Sequence, residues 1–385
     1  MQTQRARLCV VHWRGRSVRR ALRALAVLAF SMVVIRAQEF DVAPPIPLWH
    51  RSVTLITGAG YKDNLLLSHS AAEESAFLKS GLELFVTRLP KEGPQFQFIA
   101  SAEDLRFFSS PSVEKEQLVF AQARVVQELS ATWEGSFDLE YVYLDQVVDL
   151  SATDPLSNVV RARGHQVQAN PGVRHSFGET GRAELTFPVA KYWFAEPVDD
   201  YGLGGPKLTF EHPYGEKSEW TVSFSYSYWS YDDRPQSEVD GTLIPGTSLA
   251  FHQQRIDLAW RHYLDERNRW RVSTRLSYKQ NQDNGPGFYD YIRFQGGEQI
   301  RFRTRTWDIA AEVKLAFYDY AKQRVSLTDR SVRERTEVGF NLRCEKELTR
   351  WLRLFAEYDY ERIFSNRTID EYSVNVASAG LMWEF

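Results

Sequence analysis

Cysteine is almost absent: only Cys9 and Cys344 carry a thiol among 385 residues, so the fold is not a disulfide framework. Past the N-terminal region there is no run of 18 apolar residues, so any membrane crossing has to be made by the strands of a closed barrel. Neither sign of charge is in excess, with 47 basic residues against 50 acidic ones, which argues against nucleic acid as a partner. HExxH, GxSxG and clustered Cys/His patterns are missing, and with them the usual signatures of zinc hydrolases and nucleophile elbows. His165, His175, His212, His252 and His262 are scattered, and His175-Ser176 are neighbours that point to opposite faces of a strand, so no nucleophile, base and orienting group come together. The loop aspartates Asp145, Asp149, Asp154, Asp232, Asp233 and Asp240 do not follow an EF-hand spacing. The expectation is a protein that is not an enzyme and that has no metal and no cofactor.

Aromatic residues, in contrast, are abundant. Trp 11, Tyr 18 and Phe 24 make up 14% of the chain, yet the mean hydropathy is -0.42. Aromatic girdles around a polar lumen produce that combination; an aromatic-rich soluble β-sandwich is the competing source. The first 37 residues stand apart. Arg5, Arg7, Arg14, Arg16, Arg19, Arg20 and Arg23 precede the twelve-residue apolar run from Ala24 to Ile35, the layout of a secretory signal peptide cleaved near Ala37. A membrane anchor is the alternative, but the run is well short of the ~20 residues a spanning helix needs. Residues 38–48 include the proline segment DVAPPIPL, which cannot join a ladder and reads as a periplasmic lead-in.

From Trp49 onward the chain alternates in long runs. Between Ser218 and Tyr231, Trp220, Val222, Phe224, Tyr226 and Tyr228 share one face, and Thr221, Ser223, Ser225 and Ser227 share the other. Trp270 to Tyr278 and Trp307 to Phe317 repeat the scheme, each with an aromatic residue at both ends of the apolar face. This pattern predicts strands near 49–61, 75–89, 95–107, 117–129, 136–147, 163–177, 182–194, 204–212, 218–231, 248–263, 269–282, 290–303, 306–319, 332–345, 350–362 and 371–385. That makes sixteen, with alternation weakest at 117–129, 163–177 and 204–212, so fourteen or eighteen also fit. Short connections alternate with long polar ones. The runs reach the ~9–11 residues of a tilted bilayer crossing, whereas sandwich strands average ~5–6.

The last strand, EYSVNVASAGLMWEF, is the most specific stretch. Ala377, Ala379, Leu381, Trp383 and Phe385 share one parity and the chain stops on Phe385. Because Tyr372, Val374 and Val376 lie on the other parity, a bulge or change of face is expected near Val376 to Ser378. This ending resembles the closing strand of bacterial outer-membrane β-barrels. The resemblance covers about 49–385. It implies an all-β fold, a transmembrane antiparallel up-and-down β-barrel of about 16 strands (14–18), located in the bacterial outer membrane. It further implies that Leu381, Trp383 and Phe385 form the signal read by the barrel-assembly machinery, and that the partners are that machinery and outer-membrane lipid. The sequence shows no periplasmic helical-repeat domain, as found in exopolysaccharide secretion barrels, and no N-terminal plug with a TonB box, which argues against active siderophore uptake. Oligomeric state stays open.

If the apolar parity faces lipid, the other parity lines a lumen. Arg255, Asp257, Arg261, Arg271, Arg275, Lys279, Arg301 and Arg303 then form a mostly basic wall. Glu312, Lys314, Glu337, Asn341, Arg343, Glu345, Arg353, Glu357 and Asp359 follow on the later strands, with Glu83, Asp138, Glu140, Arg182 and Glu184 on the earlier ones. Opposed charged walls tune a wet pore, or neutralise each other in a filled scaffold; about sixteen strands leave a channel where about eight are filled by side chains. The stretches 144–158 and 232–248 are long enough to fold inward and narrow it. The expected function is a porin-like channel for passive passage of small polar solutes or ions. The alternative is a non-conducting barrel associated with export of a surface polysaccharide or protein.

Overall fold

The computed structural model describes residues 48–89, 93–150, 159–178, 180–214, 217–326 and 328–385. The expected signal peptide, its cleavage site and nearly all of the lead-in lie outside these residues. The strands are β1 (Trp49–Lys62), β2 (Ser75–Arg88), β3 (Gln95–Phe107), β4 (Lys115–Glu128), β5 (Trp133–Asp149) and β6 (Val159–Phe177). Next come β7, in two segments (Gly181–Thr186 and Val189–Phe194), β8, also in two (Tyr201–Gly204 and Lys207–Tyr214), and β9 (Ser218–Tyr231). The chain continues with β10 (Ala250–Tyr263), β11 (Trp270–Asp283), β12 (Tyr291–Arg303), β13 (Trp307–Arg324), β14 (Val332–Thr349), β15 (Leu352–Ser365) and β16 (Tyr372–Glu384). All belong to one sheet, and every pairing is antiparallel between neighbours in sequence, including β16 back onto β1.

β7 and β8 are interrupted at the same level by Pro188 and Pro206, which have no amide hydrogen to give to a ladder. The breach is patched by the Gly205 amide on the Pro188 carbonyl (3.2 Å) and the Tyr226 amide on the Pro206 carbonyl (3.0 Å). Gly205 itself has φ +158° and a Cβ there would lie 2.1 Å from the Tyr226 carbonyl oxygen, so the close approach needs glycine.

Register fixes which residues face out. β1 and β16 pair from Thr54↔Glu384 to Lys62↔Val376, and β15 pairs with β16 from Leu352↔Trp383 to Ile363↔Tyr372, both without a shift. The bulge expected in the last strand is therefore absent. Tyr372 and Val374 face inward along its whole length and pack with Ile363 beneath Leu67 of the β1–β2 loop. They are apolar because they sit under a loop rather than in water. Phe385 extends the same register, exchanging backbone hydrogen bonds with Val53 at 2.9 and 3.2 Å.

Outward-facing side chains are apolar and exposed, among them Leu82, Leu185, Phe224, Leu276, Val313 and Leu354. Trp49, Trp133, Trp220, Trp260, Trp270 and Trp307 all sit at the end that holds both the short turns and the chain terminus. Tyr61, Tyr141, Trp193, Tyr228, Phe294 and Phe317 mark the end with the longer loops. Two aromatic girdles thus bound a greasy band. Glu298 is an outward carboxylate in the middle of it, exposed and capped by the Thr274 hydroxyl at 2.6 Å, four residues from both Phe294 and Phe302.

Candidate functional site in the barrel lumen

Sixteen strands spaced about 4.8 Å apart and tilted roughly 40° close a wall ~32 Å across, and ~6 Å of side chain on each side leaves ~20 Å between the walls. The inward parity places Arg255 and Arg261 on β10, Arg271, Arg275 and Lys279 on β11, and Arg301 and Arg303 on β12 along one continuous sector. Glu312 on β13, Glu337 and Arg343 on β14, and Glu357 and Asp359 on β15 carry that sector onward. Eight strands away, β2 to β5 turn Glu83, Glu103, Glu116, Asp138 and Glu140 inward. A basic wall faces an acidic one.

Carboxylates dress most of the basic wall. Arg255 meets Asp257 at 2.7 Å, Arg275 meets Glu312 at 3.6 Å, and Arg301 Nε donates to Asp308 at 2.6 Å. Arg261 pairs with Glu219. On the later strands Arg343 meets Glu345 at 2.7 Å and Arg353 meets Glu384 at 2.6 Å. Where the barrel closes, Gly58, Gly60 and Gly380 leave room for the rings of Phe77 and Phe355. Lys79 lies over the Phe355 ring and bridges Glu103 (2.8 Å) and Glu357 (3.3 Å).

Despite these pairs the inner charges are wet. The inward side chains of Arg255, Arg275 and Lys314 retain 49%, 64% and 52% of their surface. A packed interior buries such groups almost completely.

The β5–β6 hairpin supplies a second feature. Its pairing with β4 stops at Asp145, and the pairing of β6 with β7 stops at Gly164, yet the two arms stay paired with each other as far as Asp149↔Val159. The stretch expected as one long loop, 148–162, is thus strand on both sides, and the arms leave the wall together. Arg161 forks onto Asp145 at 2.7 and 3.1 Å and holds them in register. At the last paired position of the arms Asp149 accepts from Arg335 of β14 at 2.7 Å. β14 is nine strands away in one direction and seven in the other, so the hairpin crosses the lumen. Arg335 is steadied by Glu337 at 2.9 Å and lies over the Tyr318 ring, which Arg293 also faces.

Lys79, Glu103, Glu116, Arg161, Glu219, Arg293 and Arg335 escaped the sequence reading. Arg293 shares the parity of Arg301 and was legible by the same rule; Arg335 could be placed on the inner face but not against Asp149, 186 positions away. As for chemistry, Ser218 Oγ lies 3.4 Å from His262 Nδ1, which Tyr214 also approaches at 3.1 Å. Among the described residues no carboxylate reaches that ring, so nothing orients it as a base, and no three His, Cys, Asp or Glu side chains converge as a metal site.

The closed register, the apolar outer band and the charged inner face decide the architecture. This is a transmembrane β-barrel. No protein-family model and no curated protein matches the chain. Solved structures of similar fold include the anion-selective porin from Comamonas acidovorans, 10% identical, covering 88% of this chain and 99% of that one with a TM-score of 0.48. OccAB1 from Acinetobacter baumannii is 11% identical, covering 91% of this chain and 100% of its own, with a TM-score of 0.45. CdiB from Acinetobacter baumannii is 10% identical, covering 86% of this chain and 60% of its own, with a TM-score of 0.46.

Proposed function

We propose that this barrel is a pore in the outer membrane of a Gram-negative bacterium, through which small polar solutes and ions pass by diffusion. The observation that carries this reading is the wet inner face: Arg255, Arg275 and Lys314 point inward and remain half-exposed. The crossing hairpin sets the size limit. The basic wall on β10 to β12 and the acidic wall on β2 to β5 set a transverse field that orients dipolar solutes and tunes selectivity. Phe385, Trp383 and Leu381 are proposed as the signal for the barrel-assembly machinery. No catalytic step is assigned.

Swelling of liposomes reconstituted with the purified barrel tests the reading. Monosaccharides are expected to enter quickly and larger oligosaccharides progressively more slowly. A correctly folded barrel that admits none of them contradicts it and favours a non-conducting scaffold for export of a surface polysaccharide or protein.

A further inference from the structure

Above the lumen, the loops following β9, β11, β13 and β15 enclose a cleft of about 1040 Å³. Its charged lining is Arg324, Arg330 and Arg367 with Asp240 and Asp329. In the lumen below, arginines such as Arg255, Arg275 and Arg301 each have a carboxylate within 4.0 Å. Among the described residues Arg324, Arg330 and Arg367 have none; Arg324 only donates to the Arg330 carbonyl, at 3.1 Å. The two aspartates are turned to their own backbones, Asp240 accepting from the Thr242 amide and Asp329 from the Ser331 amide, each at 2.9 Å. Beside the guanidinium groups stand Val239 and Ile369, 44% and 64% exposed, and Phe288, whose ring continues into the aromatic cluster of Tyr231, Phe251 and Tyr289. These loops lie beyond the greasy band, so the exposed apolar groups have no lipid to cover them.

Three guanidinium groups with no carboxylate within 4.0 Å, beside uncovered apolar side chains, match a molecule that is anionic at one end and apolar at the other. We propose that this cleft is a binding site for an amphipathic organic anion, a phosphate- or sulfonate-type headgroup held by Arg324, Arg330 and Arg367 with its apolar body against Val239, Phe288 and Ile369. This goes beyond the diffusion pore: it is a capture site at the mouth, and it stands whether or not the barrel conducts.

The test is calorimetric titration of the full chain in phosphatidylcholine nanodiscs with 2-naphthyl phosphate, inorganic phosphate and 2-naphthol. 2-Naphthyl phosphate is expected to bind at least about tenfold more tightly than either fragment. Arg330→Gln combined with Arg367→Gln should weaken it about tenfold or more, and Ile369→Ser by a smaller factor. Arg275→Gln, in the lumen, should leave it unchanged. Folding of each variant is checked by heat-modifiable migration, so loss of binding is read only from folded barrel. Adding a phosphomonoester lipid to the discs separates two sources of the same chemistry: competition assigns the cleft to a lipid headgroup, and no competition assigns it to a soluble solute. Equal binding by wild type and the double variant, or binding of 2-naphthol as tight as that of its phosphate, overturns the proposal.

Discussion

Removing the crossing hairpin gives the sharpest quantitative prediction. Gln146 and Ala162 face each other across it, so replacing residues 147–161 by Asn-Gly closes the strands with a favourable two-residue turn. The lumen can be taken as ~20 Å wide and ~30 Å long, and the hairpin as a strip ~10 Å wide and ~10 Å thick. It then leaves about two fifths of the cross-section open over about a third of the length. Adding the narrow and wide stretches as resistances in series, the deletion should raise single-channel conductance about 1.5-fold. The arms are long enough for this role. Four residues from Gln146 to Asp149 span ~13 Å, and the Arg335 side chain reaches the rest of the way. The assay is single-channel recording in planar bilayers at high salt, where surface charge is screened. A folded deletion variant whose conductance stays within about 10% of wild type would refute the reasoning, because the hairpin would then not lie in the current path.

Four further outcomes are expected. Leu276→Arg, in the middle of the outer band, should lower barrel stability by about 2–4 kcal/mol, and Glu298→Leu should raise it by on the order of 1 kcal/mol; urea titrations of refolding in lipid vesicles measure both. Reversing Arg255, Arg275 and Arg303 to Glu should shift the reversal potential in a salt gradient toward cation preference, and an unchanged potential would show that the basic wall does not face the permeating ions. Deleting Phe385 should reduce the folded fraction in the outer membrane more than it changes conductance of the molecules that do fold. The Glu73 carboxyl is held below the usual carboxylate range by the hydroxyls of Ser112 and Ser110. Its tie between the first two long loops is thus fully present above about pH 4.3, the unfolded value, and is lost as pH falls through the depressed folded value. Hydrogen exchange of residues 65–73 should accelerate only at that acidic end.

Much of the wall was legible from period and punctuation. Trp220 to Tyr228 alternates over a full crossing, and Trp270 and Trp307 mark where crossings begin, because lipid on one side and water on the other impose a period of two. The same rule put Arg255, Arg275 and Lys279 on the inner face. It failed where a third environment intervened. Tyr372 and Val374 face inward but lie beneath Leu67, so their apolar character suggested a change of face that did not occur. Val147 and Val148 sit in a hairpin that has left the wall, where neither lipid nor lumen dictates parity, and 148–162 consequently looked like loop. Contacts between distant strands, Asp149 with Arg335 and Lys79 with Glu357, depend on closure and on a bend, neither of which is written in local pattern.

An open water path through the lumen carries current, and that current is measurable. Purified full-length protein added to a planar lipid bilayer at low concentration should produce discrete, uniform conductance steps that persist at small applied voltage. A preparation that inserts as folded, heat-modifiable barrel and yet leaves the bilayer electrically silent would contradict the open path.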